Sequence, residues 1–453
     1  MEIDEHPLAY LLHHHGWTAP QYLARLSAAH QQLGHGRLDV NQRKRVSRWI
    51  REDVTPEASV QHAMAHLHGI APREITARPW PAWLKLACVR EQRLLDAEWT
   101  ASATLDLLDR VASTGGPMDR RGFLVITGIT PVLTGAATAE VAQARAQGSR
   151  IGKATPKLFE DALAVLRRQD DQLGSGQVHA SARAQLRLIT TTLKTTSYTE
   201  DTGRGLYAAA AEAARVCAWT AYDSGYLGLA EDYYMAALRA AASADEDAVA
   251  ANTLAFWAIL RYSNGDPNGA ADLASDALGR TRRIGSPRME AMLHARLSRA
   301  HARAGQERAS ARAQGAAFDA YDRARERSAD EDPPCVYWVD LGELHSWAAS
   351  NAMNLGQPRQ ALAHYDSIPA AHRAEGYDDQ AYPRASALRL TRTAEAHVAV
   401  GDLDGAVDSA HQAVDHLGGV TSARGTSTLS DLRTKLTAHR TVPVVREFLG
   451  RTA

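Results

Sequence analysis

A glycine that recurs with a fixed following pattern sets what this chain can fold into. Five, nine and twelve positions after each such glycine stands a residue that is mostly small or aromatic. The series reads Gly225, Ala230, Tyr234, Ala237; Gly265, Ala270, Ala274, Ala277; Gly305, Ser310, Gln314, Ala317; Gly356, Ala361, Tyr365, Ile368; and Gly401, Ala406, Ala410, Ala413. Those offsets fall on one side of an α-helix that begins just after the glycine. Small side chains there let a second helix approach closely, and glycine permits the tight turn between two antiparallel helices. The pattern predicts a stack of helical hairpins, an architecture that commonly binds ligands in its concave face.

The glycines lie 40, 40, 51 and 45 residues apart. A tetratricopeptide unit repeats every ~34 residues, so the phase within each unit fits that pattern better than the period does. The excess falls between hairpins, in SADED and RERSADEDPP. Pro267 and Pro358 come two residues after their glycines, at the start of the second helix, where a missing N–H is harmless. Two more helices are predicted before the stack, at about 158–174 and 178–195. Capping segments follow at about 426–438 and 442–450, where Leu429, Leu432, Leu436, Val445, Phe448 and Leu449 cover the last hairpin. A chain of 453 residues is too long for one compact core, and a stack avoids that limit because each hairpin packs only on its neighbours. Abundant alanine and only 5 phenylalanines suit close helix packing and argue against a β-rich protein.

Upstream, residues 7–76 read as short helices that close a small core with Leu8, Leu11, Leu12, Trp17, Leu23, Leu26, Val46, Trp49, Ile50, Val60, Met64 and Leu67. Thr18 and Thr55 are candidate N-caps, each followed closely by a proline. In NQRKRVSRWIREDVTP, residues 41–56, Val46, Trp49 and Ile50 share a core-facing side of a helix. Arg43, Lys44, Arg45, Ser47, Arg48 and Arg51 are the residues this leaves for DNA. From Gly16 to Arg51 there are 7 positive charges against 1 negative, although the whole chain carries only −1. Such a local excess is what contact with DNA phosphates and entry into the major groove require.

These residues resemble a known family. VSRWIREDVTP is similar to the recognition helix and following turn of XRE-type (Cro/C1) helix-turn-helix domains. With the hairpin repeats, and with MDRRGFL, RRQDDQLG, SYTEDTGR, AYDSGYLGLAEDYY and VPVVREFL, nearly the whole chain resembles actinobacterial regulators that carry such a domain ahead of a tetratricopeptide array. More distantly it is similar to the peptide-sensing repeat regulators of Gram-positive bacteria. The resemblance implies an all-α fold, with an N-terminal helix-turn-helix domain followed by a right-handed α-solenoid of tetratricopeptide-like hairpins. It places the DNA-binding domain at 1–78, a helical linker and apolar docking segment at 79–155, and the repeats at 156–453. It further implies a cytoplasmic transcriptional regulator of differentiation or secondary metabolism that binds double-stranded DNA. In one departure from the pattern, a longer stretch, about Gln31–Val40, replaces the usual short turn between the two DNA-binding helices.

The glycine also sets which residues face the concavity: positions 13, 10, 6, 3 and 2 before it. The candidate ligand or peptide groove is therefore Arg215, Trp219, Tyr222, Asn252, Tyr262, Arg299, Arg303, Glu343, Asn354 and Glu395, with Glu212, Asp223, Ile259, Ser263, Ser346 and Ser350 on the same stripe. Arg and Asn there can hold an extended peptide, a small molecule or a protein partner by its amides and carboxylates.

Cys88, Cys217 and Cys335 are too far apart for a metal knuckle or redox pair and read as reduced thiols of an intracellular protein. His62 and His66 have metal-binding spacing, but no carboxylate or cysteine completes a site in sequence. No phosphate loop, serine elbow or metalloprotease motif occurs, so neither catalytic residues nor a cofactor is expected. MDRRGFLVITGITPVLTGAATA, from Met118, has the form of a twin-arginine signal. It lies deep in the chain and is broken by Thr127, Thr130, Pro131 and Thr134, so it reads as a docking segment and argues against membrane association. A homodimer is expected, because helix-turn-helix regulators commonly bind two half-sites. The competing class is an interaction scaffold with a vestigial helix-turn-helix that never touches DNA.

Overall fold

The structure, a computed structural model, describes residues 5–14, 17–39, 44–68, 70, 72–88, 98–113, 150–377, 382–418 and 422–451. Among these the chain forms 21 α-helices and no β-strand; one isolated bridge joins Arg150 to Ser197. The segment at 118–140 and Arg43 lie outside the described residues, as do residues 89–97 of the linker.

The first body is a bundle of α1 (Pro7–His14), α2 (Ala19–Gln32), α3 (Lys44–Ile50), α4 (Ala58–Leu67) and α5 (Pro72–Ala77). Thr18 starts α2 with a capping box: its side chain accepts from the Gln21 amide, and the Gln21 side chain accepts from the Thr18 amide at 2.8 Å. Thr55 does not play that part for α4. Glu57 occupies the N-cap without a side-chain bond, because the chain stays extended past Pro56 before the helix begins. Leu8, Leu11, Leu23, Leu26, Val46, Trp49, Val60 and Met64 are buried together, joined by Trp83, Leu84 and Cys88 from the following turn. Trp83 Nε1 donates to Gln61 Oε1 at 3.1 Å, which satisfies the indole inside the core.

The helix α6 (Ala101–Ser113) buries Leu107, Leu108 and Val111 against α8 (Ser175–Thr195) and α10 (Leu227–Ala244). From α7 (Thr155–Leu173) onward, consecutive helices pair. The five glycine-marked pairs are α9 (Glu200–Asp223) with α10, α11 (Asp247–Ser263) with α12 (Pro267–Leu278), and α14 (Pro287–Arg303) with α15 (Glu307–Arg325). They continue with α16 (Leu341–Asn354) and α17 (Pro358–Glu375), then α18 (Pro383–Val400) and α19 (Leu403–Leu417). A short α13 (Thr281–Ile284) lies between the second and third pairs, and α20 (Ala423–Thr437) and α21 (Pro443–Arg451) cover the last.

Each pair turns at its glycine in the left-handed region, with φ of 88°, 79°, 72°, 72° and 84° at Gly225, Gly265, Gly305, Gly356 and Gly401. A side chain there would clash with its own backbone. The residues five, nine and twelve positions on are all buried except Gln314, which is half-buried with Ala313 turned inward beside it. The first helices of successive pairs, α7, α9, α11, α14, α16 and α18, pack side by side and form an inner wall. The surplus residues before α16 are ordered, since Val336 and Val339 are buried and Arg288 Nε donates to Asp332 at 2.8 Å.

Trp49 is 2 % exposed and among the largest side chains in the bundle core. Trp49→Ala should therefore cost about 3–5 kcal/mol. In a circular dichroism melt the bundle should unfold early while the repeat transition stays in place. A variant that melts like the parent would mean that this side of α3 does not hold the bundle together.

Candidate nucleic-acid interface and ligand chamber

On α3, burial of Val46 and Trp49 leaves Lys44, Ser47 and Arg48 exposed, with Arg51 exposed just past the helix end. Arg45 differs, for its guanidinium lies 5.3 Å from the Trp49 ring and the side chain is half-buried. Arg51 Nε is 3.2 Å from Asp53, an exposed pair of small energetic weight. The connection from α2 folds back along that helix as far as it is described: the Leu38 amide donates to Ser27 Oγ at 3.0 Å, and His30 Nδ1 lies 2.8 Å from the Gly36 carbonyl.

The bundle sits on the turns of the first two glycine pairs. Arg25 of α2 is buried, its guanidinium 4.5 Å from the Trp17 ring and within van der Waals reach of Gly265. Burial pulls its pKa down to about 10, opposed by Asp266 and Glu231 and reinforced by Arg261. The His66 ring packs 5.0 Å from Tyr226, and Leu227 packs on the bundle core. At the other end, Arg37 approaches Asp431 of α20 at 3.6 Å.

The inner wall surrounds a partly open chamber of about 530 Å³. Arg215, Trp219, Tyr222, Tyr262, Arg299, Arg303, Glu343, Asn354 and Glu395 line it, as the glycine register predicts. Asn252 does not. It is fully buried, and Phe256 one turn further on carries the Arg215 guanidinium at 4.6 Å and the Trp338 ring at 6.0 Å. Side chains from neighbouring elements close the wall at that level, which the register of a single helix does not reveal. A further stripe was missed: nine positions before the glycines stand Val216, Phe256, Arg296, Trp347 and Arg392, and all five line the chamber. Position −9 is one helical turn from −13 and from −6, so the same register contains it. Other lining residues come from beyond the five pairs, namely Arg167, Asp170 and Asp171 of α7 and Trp338 from the segment before α16.

The first and last parts of the wall meet. Arg384 of α18 donates to Asp170 of α7 at 2.7 Å across 214 residues of sequence, to Ser175 Oγ at 3.2 Å, and lies 3.7 Å from Asp223. Trp219 Nε1 donates to the same Asp170 oxygen, Oδ2, at 2.9 Å, and Ser175 Oγ to the other at 2.6 Å. Burial alone would raise the Asp170 carboxyl. The Arg384 charge and the bonds from Arg384, Ser175 and Trp219 outweigh it and hold the pKa below its ordinary value. Nearby, Glu212 accepts from Arg215 Nη2 and from Arg167 Nη1, both at 2.7 Å. Those two arginines overcome the burial of Glu212 and bring it down to about 2. Asp171 is pushed up to about 6, first by burial, with Arg384 opposing and Asp170 adding to the rise; the Tyr337 hydroxyl donates to it.

His62 and His66 do not converge on a common site. His62 Nδ1 lies 2.7 Å from the Ala58 carbonyl while His66 faces Tyr226, and the described residues contain no group of three or more His, Cys, Asp or Glu fit to hold a metal. No described helix is long and apolar enough to cross a membrane. No protein-family model matches the chain, and no curated protein matches it.

Glu343 gives a prediction with a definite sign. Burial, together with Asp340, pushes its pKa up to about 7 against the pull of Arg296, Arg389 and Arg392. A carboxyl raised on folding lowers stability above its folded pKa and costs nothing below its unfolded pKa. Glu343→Gln should therefore stabilise the protein at pH 8, on the order of 2–3 kcal/mol from about 1.4 kcal/mol per pKa unit, and far less at pH 5. Urea unfolding at both pH values measures this. An equal effect at the two would remove the titration from the account.

Proposed function

We propose that the chain is a cytoplasmic DNA-binding transcriptional regulator and not an enzyme. Its N-terminal bundle acts as a Cro/C1-type helix-turn-helix domain, and the paired helices form a right-handed tetratricopeptide-like α-solenoid that senses a ligand. The observation that carries this reading is the division of α3. Its apolar face is buried in the bundle, while Lys44, Ser47, Arg48 and the adjoining Arg51 project outward together. A short helix held by its core face, with cations on the other, suits insertion into the major groove. The chamber and the seating of the bundle on the hairpin turns support a sensor that acts on the DNA-binding body.

The scaffold reading has its own support. The helix α3 is 7 residues long and follows α2 after the extended connection rather than a short turn. The two readings diverge in a salt titration of the purified chain on promoter fragments captured from the native host. DNA phosphate contacts make affinity fall steeply with salt, and a scaffold shows no such binding.

Lys44→Ala and Arg48→Ala should each weaken DNA binding without unfolding the bundle. A lost base contact costs about 1–3 kcal/mol, and a lost phosphate contact lowers the salt slope by about one. Fluorescence anisotropy over a salt series reads both, and unchanged binding in both variants would move recognition elsewhere on the chain. The regulator is further proposed to bind two half-sites as a homodimer. Light scattering at tens of micromolar should give twice the chain mass, and a monomer with and without DNA would contradict it.

A further inference from the structure

The charge inside the chamber is not balanced. Eight arginines line it, and three of them are already answered: Arg167 and Arg215 by Glu212, and Arg384 by Asp170. Arg296, Arg299 and Arg392 make no ion pair among the described residues. Arg296 is 6 % exposed and its Nε has no hydrogen-bond partner there. Its guanidinium is held between rings, 4.7 Å from Trp347, 5.6 Å from Trp338 and 5.9 Å from Phe256. Arg299 lies 5.9 Å from the Tyr262 ring with Nη1 unpartnered, and Arg392 reaches only the Ser350 hydroxyl at 3.4 Å. Cations held away from water without a paired carboxylate raise the energy of the empty protein.

Among the acidic residues of the wall, Asp170 is held by Arg384, Asp171 by Tyr337 and Glu395 by Lys435 at 2.6 Å, Asp431 lies 3.6 Å from Arg37, and Glu343, whose carboxyl burial pushes up to about 7, makes no ion pair with the three arginines among the described residues. Glu343 attracts Arg296 and Arg392 only from beyond ion-pair distance, and the other carboxylates are engaged elsewhere. A close counter-charge for Arg299 and Arg392 is left for a ligand to supply.

We propose that the chamber binds a small planar anion of nucleotide type, its phosphate between Arg299 and Arg392 and its ring stacked in the Trp338–Trp347–Arg296 cluster. This deepens the sensor reading above and rests on it. Guanidinium forks match phosphate oxygens two at a time, and flat aromatic walls accept a base by stacking. Size points the same way. A chamber of about 530 Å³ lies within the ~300–1,000 Å³ range of small-molecule sites. The Arg384–Asp170 bridge joins the two ends of the wall, which favours a compact ligand over an extended peptide. Burial draws Arg299 down to about 9, with Arg392 and Arg303 repelling it. That repulsion is relieved by an anion at this point.

The test uses the full chain without DNA and follows the anisotropy of N-methylanthraniloyl-labelled guanosine monophosphate. Binding is expected, with displacement by unlabelled guanosine monophosphate or adenosine monophosphate. Guanosine and inorganic phosphate should each compete about tenfold less well or worse, because each supplies half of the recognition. Arg299→Gln and Arg392→Gln should weaken binding about tenfold or more, while the melting temperature of the unliganded protein stays level or rises as an unpaired cation is removed. The proposal fails if the labelled nucleotide does not bind at millimolar concentration, if guanosine or phosphate alone competes as well as the nucleotide, or if both variants bind like the parent. DNA is absent throughout, so such a failure leaves the regulator reading standing. Loss of that reading through Lys44 and Arg48 leaves this binding measurable.

Discussion

The buried contact of Arg384 with Asp170 is the constraint on which the chamber depends. It joins α7, ahead of the glycine pairs, to α18 of the last pair, and turns an open concave wall into a partly closed chamber. Two charges taken from water are costly, and their attraction compensates only when the remaining hydrogen-bond capacity is filled. Here it is filled: Ser175 Oγ donates to one Asp170 oxygen at 2.6 Å and Trp219 to the other, while Asp223 gives Arg384 a second carboxylate. The same Trp219 lines the chamber and lies 5.6 Å from the Arg384 guanidinium. The lock and the chamber wall therefore share a side chain.

Closure at that point requires every hairpin to hold its angle, and this is the task of the small residues. Ala230, Ala237, Ala270, Ala274 and Ala277 have no exposed surface, and a wider side chain at any of them would push its two helices apart. A change in tilt at one pair adds to that at the next along a stack. The core accordingly divides into successive clusters, each built from neighbouring helices, instead of one central mass.

The hairpins and their inner face were legible because two periodicities, the helical turn and the glycine recurrence, act on the same residues. Thr18, Trp49 and the capping leucine Leu432 follow from equally local rules. Most of what the sequence did not disclose depends on contacts between distant parts. Asp170 and Arg384 carry no mark of their partnership in a chain that separates them so widely. Trp338 belongs to no repeat, yet it covers the wall beside Phe256 and, with it, seals off the level of Asn252. The omission of Arg296, Trp347 and Arg392 was of another kind, since their position is contained in the register and needed only a wider arc of the helix to be counted.

The turn after α11 is where the two bodies and the chamber come together. On one side Gly265 and Asp266 lie against Arg25 of the bundle, and Arg261 pairs with Asp266 at 2.8 Å and with Glu231 at 3.3 Å. On the other side, Tyr262 and Ser263 face the chamber, and Arg303 Nε donates to the Tyr262 carbonyl at 3.3 Å. Arg303 in turn reaches Asn354 Oδ1 at 3.4 Å, so three successive pairs are tied to this one turn. Arg303 thus ties the chamber wall to the turn on which the bundle is seated. Arg25 makes that seat sensitive. It is buried beside Asp266 and Glu231 without an ion pair to either among the described residues, so a small shift of the turn changes its energy steeply. Under the proposed sensor function, a ligand acts only through a difference in affinity between two placements of the bundle. On that proposal the coupling resides in a few residues of one turn and does not require the whole stack to bend.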